Sequence, residues 1–172
     1  MFRLDHTLPD NAEGKIAEIY QTFPPQVPVP EPMIMMSASP GLAEITASSI
    51  KYYMGHDRMD MGLTACIRFL VAREFGYSFC IEFNRGLLKN MGGLSDEQLD
   101  AMAADPDKTP LEESQVALVK FVLKVVKTPE AVTDADIAEL RDLGWRDSDI
   151  LDAAWHGASM FAPASLYKAL RK

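Results

Sequence analysis

The chain has 172 residues, 48% of them apolar, with a formal net charge of −8. That length and apolar content suit one globular domain with its own core and argue against a mainly disordered chain. The acidic balance excludes nucleic acid and anionic membrane surfaces as expected partners, because both call for clustered Lys and Arg, and only Lys168, Arg171 and Lys172 gather at all.

The opening "MFRLDHTLPD" carries charges where a secretory leader is apolar, and no uncharged apolar run is long enough to span a bilayer. A cytoplasmic location is expected. The two cysteines, Cys66 and Cys80, are too few for a disulfide framework and are expected to be free thiols in a reducing compartment.

In chain order, Asp10 or Asn11 is placed to cap a first helix with Ile16, Ile19, Tyr20 and Phe23 on one face. It stops at Pro24. Pro24, Pro25, Pro28, Pro30 and Pro32 then favour an extended, polyproline-like arm lying across a surface, and the adjacent "MIMMSASP" reads as a subunit interface. Residues 1–40 therefore read as a helix and arm, and 41–172 as a helical domain, together one structural domain.

Ser39-Pro40 opens a helix carrying Leu42, Ile45, Ile50 and Tyr53 and ending near Gly55. The loop "GHDRMD" follows. A long helix from about Met61 to Phe75 places Leu63, Cys66, Ile67, Leu70 and Val71 on one face, with Gly76 as the left-handed residue just past its end. Ser78 is placed to cap the next helix, which runs to Met91. Ser95 with Gln98, Thr109-Pro110 with Glu112, and Thr133 with Asp136 mark three further helix starts. Gly144 separates the last long pair, Asp147 is placed to cap the second of them, and Pro163 should bend or end it. No stretch alternates like a strand, so the chain is expected to be all-α, with about eight or nine helices.

Cys80 is the residue with the most chemical promise. With Ser78 as cap it lies near the start of a helix, where unpaired amides and the positive end of the dipole favour a thiolate and lower the thiol pKa. Asn84 lies four residues on, over the same face, and Tyr77 sits at the cap end. Phe83, Leu87 and Met91 continue the stripe, so Cys80 also reads as a small buried hydrophobe. Cys66, on the preceding helix, reads as core packing or as a partner for Cys80. His56 with Asp57 and Asp60 lacks further ligands at metal spacing, and the methionines converge on no ligand set. Neither a metal nor a cofactor is expected.

"CIRFLVAREFGYSFCIEFNRGLLKNMGG", preceded by Ala65, resembles the core helix pair of the AhpD-like and carboxymuconolactone decarboxylase superfamily. "VTDADIAELRDLGWRDSDILDAAWHG" is similar to the two-helix segment that follows it in the peroxidase-related branch. The resemblance implies an AhpD-like all-α bundle and a homo-oligomer. In the redox-active relatives a Glu precedes a Cys-x-x-Cys by twelve residues and a His follows four residues after the second Cys. Laid on this chain, the second cysteine falls on Cys80, while the first falls on Tyr77, the histidine on Asn84 and the glutamate on Ala65. The resolving thiol and the usual proton carriers are therefore replaced, and the dithiol peroxidase cycle is expected to be absent. His156, on the late helix, is the candidate substitute base.

Two functions follow as expectations. One is a single-thiol, alkylhydroperoxidase-like oxidoreductase in which a peroxide oxidises Cys80, Tyr77 and Asn84 orient the oxidant, and an external thiol reduces the product. The other is a relative without redox chemistry that binds a small organic molecule in the same helical pocket.

Overall fold

Pro9 opens a single 3-10 turn, Pro9–Asn11, which takes up both Asp10 and Asn11, so neither caps a helix as expected. A proline suits the first position of such a turn because its φ is preset and its missing N–H has no partner to lose. Helix α1 (Gly14–Tyr20) follows and buries Ile16, Ile19 and Tyr20, the face its spacing predicts. The computed structural model describes residues 1–23 and 27–172, so the Pro24–Pro25 part of the expected arm lies outside the described residues.

The arm is shorter than its prolines suggest, because Pro30 caps helix α2 (Glu31–Met36) and Pro32 sits in its first turn. First-turn amides are unpaired in any helix, so Pro32 forfeits nothing there. Met33, Met35 and Met36 are buried within the chain itself rather than displayed for a partner. Helix α3 (Pro40–Met54) begins after Ser39 as expected but turns a different face inward. It buries Ala43 and leaves Leu42 and Ile45 exposed. Helix α3 touches both α1 and α2, and the residue it buries is the small Ala43. These elements, with residues 165–172, form one compact unit. Within it Phe2 bridges to Arg171, and the Tyr167 hydroxyl bonds Glu31.

The second unit, His56–Ala164, is organised around helix α4 (Met61–Glu74). Asp60 caps it, accepting from the Leu63 amide at 2.8 Å. Leu63 to Ile67 and Phe69 to Ala72 are all buried, so α4 is enclosed on more than the single face its periodicity predicts. Around it pack α5 (Ser78–Asn90), α7 (Glu113–Lys127) and α9 (Asp147–Ala158), with α6 (Asp96–Ala104) and α8 (Asp134–Asp142) between them in the chain. Helix α10 (Phe161–Leu170) carries Pro163 as its third residue, so this proline marks the start of a new helix. Among the described residues there is no strand, and no helix is long and apolar enough to cross a membrane.

The reciprocal caps at Ser95–Gln98 and Thr133–Asp136 form as the sequence predicts. Two others shift. Thr109 instead donates to the Pro106 carbonyl inside a 3-10 turn, and α7 is boxed by Glu112 and Gln115. Asp147 lies inside α9, whose start is closed by Asp149, its carboxylate accepting from the Arg146 amide at 3.0 Å and from the Arg146 guanidinium.

Candidate functional site around Cys80

The position of Cys80 follows from how α4 ends. Gly76 has a φ of 57°, which a side chain would strain, and the Tyr77 amide reaches back to the Ala72 carbonyl at 2.8 Å while the Gly76 amide bonds Arg73. The chain therefore reverses within three residues, and Tyr77, not Ser78, is the cap of α5. Cys80 is the third residue of that helix and is half-buried.

Asn84 is fully buried one turn later. Its Nδ2 donates to the Cys80 carbonyl at 2.8 Å, and its Oδ1 accepts from Nε of Arg68 on α4 at 2.8 Å. A terminal nitrogen of Arg68 lies 3.2 Å from Nε2 of His156 on α9. Since a guanidinium only donates, Nε2 is the acceptor, and the neutral ring carries its proton on Nδ1. Arg68, Asn84 and His156 thus form one chain of hydrogen bonds linking α4, α5 and α9.

Burial pushes the Cys80 thiol up to about 11, although the Arg68 charge and the neighbouring Tyr77 hydroxyl both act to lower it. The lowering expected from the helix start is outweighed by desolvation of the thiolate. Burial likewise pushes Cys66 up to about 12, and both cysteines are free thiols. His156 is held down to about 3, first by burial and then by Arg68, against a backbone hydrogen bond at Thr64. Its lone pair faces Arg68, so the substitute base expected from the sequence is neutral and already bonded at neutral pH.

Arg68 is the residue that sequence reasoning passed over. It keeps part of its surface exposed, yet its guanidinium is enclosed enough for burial to lower it to about 10. The only charges that oppose this are those of the two thiols, and among the described residues no carboxylate pairs with it. The available signal was one cation inside the otherwise uncharged run from Met61 to Ala72.

His56, Asp57 and Asp149 bring one ligand atom each within 4.8 Å of one another. Their donors are committed elsewhere. His56 Nδ1 accepts from the Arg58 and Met59 amides at 3.2 and 3.0 Å, its Nε2 faces Asp152, and Arg146 clamps both Asp57 and Asp149. Asp60 is spent on capping α4. The cluster is thus a loop staple rather than a metal cradle. Two grooves lie elsewhere, one of about 1080 Å³ along α7 and α8 and one of about 460 Å³ beside α1 and α3. Neither is lined by Arg68 or Cys80.

No family model matches the sequence, and no curated protein matches it significantly. Solved structures do. An uncharacterized peroxidase-related protein from Silicibacter sp. TM1040 superposes with a TM-score of 0.82 at 18% identity, over 98% of this chain and 88% of that one. An uncharacterized peroxidase-related protein from Ralstonia eutropha JMP134, described as an alkylhydroperoxidase AhpD core, gives 0.78 at 21% identity, over 98% and 90%. With identities this low the likeness is one of architecture, and it covers nearly the whole of both chains. The fold of this protein is the all-α AhpD-core fold of the peroxidase-related proteins.

Proposed function

We propose that this chain uses the AhpD-core fold to hold a small molecule beside Cys80 without redox chemistry. Arg68 carries the reading: a guanidinium within buried helix α4 whose hydrogen-bond partners, Asn84 and His156, are both neutral. A buried cation with only neutral partners is costly until a negative group joins it. A Cys80 thiolate is one candidate. With the Arg68 attraction already acting, the thiol still lies at about 11, which leaves about one molecule in 10⁴ ionised at pH 7. Tyr77 also stands where a resolving thiol would be, so no local disulfide can regenerate an oxidised Cys80.

The single-thiol reading remains the second one, favoured by the two groups that stabilise a Cys80 thiolate, Arg68 and the Tyr77 hydroxyl. In it, Cys80-SH and ROOH give Cys80-SOH and ROH, and two external thiols return the sulfur to SH with release of water and a disulfide. One experiment separates the readings: treatment with dilute cumene hydroperoxide, a sulfenic-acid trap, and mass analysis. The non-redox reading expects Cys80 to stay intact and its alkylation rate to rise about tenfold per pH unit from 7 to 10 without a plateau. Rapid trapping of a sulfenic acid at pH 7 would establish the other.

A further inference from the structure

Resting on the non-redox reading, we infer that the Arg68 site binds a small monocarboxylate, taken end-on by the guanidinium. A guanidinium has five N–H donors in a planar fork. Arg68 uses one on Asn84 and one on His156, and the remaining three have no partner among the described residues. A planar carboxylate with two oxygens matches such a fork. The neighbouring groups agree. His156 and Asn84 present no negative charge, and a protonated thiol at Cys80 does not repel an anion as a thiolate would.

The charge count sets the class of ligand. The nearest further cations on α5, Arg85 and Lys89, are bound to Asp96 and Asp100. One available guanidinium suits a monoanion, whereas a phosphate dianion calls for more donors than this site offers. The stacked Phe79 and Phe83 rings, 5.6 Å apart, occupy the stripe of α5 beside Cys80 and Asn84. They offer an apolar neighbour for the body of an aromatic or aliphatic acid.

The test titrates the full chain with sodium benzoate and sodium acetate by calorimetry, with inorganic phosphate as competitor. Saturable binding of benzoate is expected, weakened by about tenfold or more in Arg68→Met, kept in Arg68→Lys to a lesser degree, unchanged in the surface control Arg85→Ala and unaffected by phosphate. Circular dichroism checks that Arg68→Met is folded. If it is not, the wild type decides by itself, because bound benzoate must slow Cys80 alkylation and shift the His156 ring nitrogen signals. No saturable binding of either acid, binding undiminished in folded Arg68→Met, or tighter binding of phosphate would each overturn the inference. Peroxide oxidation of Cys80 in a chain that binds benzoate would remove the non-redox reading and leave the carboxylate site standing. An intact thiol with no carboxylate binding would remove the site alone.

Discussion

Arg68 and Asn84 are joined by a 2.8 Å hydrogen bond from guanidinium Nε to amide Oδ1, and this bond ties the buried helix α4 to the middle of α5. The amide is suited to the task because one end accepts from Arg68 while the other donates to the Cys80 carbonyl. Truncation by Asn84→Ala leaves a partly enclosed cationic donor unmet, and hydrogen bonds to charged groups are worth about 1.5–3 kcal/mol. A loss of that size is expected in urea unfolding. A loss below about 0.5 kcal/mol, the level of an ordinary surface substitution, would mean that the bond does not hold the two helices in place.

Helix α9 approaches α7 so closely at Gly157 that an added Cβ would overlap the Val122 side chain, with Val71 already in contact distance beside it. Both neighbours are fully buried valines with little rotamer freedom, so neither can swing clear. Gly157→Ala should therefore destabilise the fold by about 1–3 kcal/mol, as overpacking does, despite the better helix propensity of alanine. Because Gly157 adjoins His156, the same variant should alter the His156 ring signals in an NMR spectrum. Unchanged stability would show that α9 can shift outward at no cost.

The α4–α5 reversal could be read from the sequence because Gly76 sits where apolar periodicity stops and only a left-handed residue closes the turn. The Ser95 and Thr133 starts were legible for a similar reason, each pairing a short cap with a returning side chain. Failures came where the local rule had a competitor. Arg146 and Glu112 displaced Asp147 and Thr109 as caps because the following Asp149 and Gln115 reach them instead. On α3 the large apolar residues suggested the inner face, but burial there goes to the small Ala43. Arg68 stayed hidden because a charge on a helix ordinarily marks the solvent side, and only tertiary enclosure of α4 makes it an interior group.

The loop before α4 depends on His56 in a way its sequence neighbours conceal. One ring nitrogen accepts from two successive backbone amides, Arg58 and Met59, and the other faces the Asp152 carboxylate at 3.3 Å. His56→Ala leaves those amides without their acceptor, with an expected cost of about 1–3 kcal/mol. Added zinc should leave the thermal unfolding midpoint of the wild type unchanged, since the donors are engaged by amides and arginines. A zinc-dependent rise would show that the cluster opens to take a metal.

His156 should make the protein acid-sensitive well above the pH at which ordinary carboxylates titrate. In the folded chain it is held at about 3, against an ordinary value of 6.5, by burial and by the guanidinium of Arg68 that faces its ring. The unfolded chain accepts a proton below about pH 6.5 that the folded chain refuses, so it binds more protons and stability falls as pH falls. Above 6.5 both states are neutral and the slope vanishes. The slope grows to about 1.4 kcal/mol per pH unit below 6.5, which gives a loss of about 2.3 kcal/mol from pH 6.5 to pH 4.5. His156→Gln can still accept from Arg68 but cannot titrate, so its stability should be nearly flat over the same interval. Measured by urea midpoints, parallel slopes for the two proteins would mean that the ring protonates in place. A cation would then be tolerated beside Arg68, and the neutral-partner environment on which the carboxylate site depends would not exist at low pH.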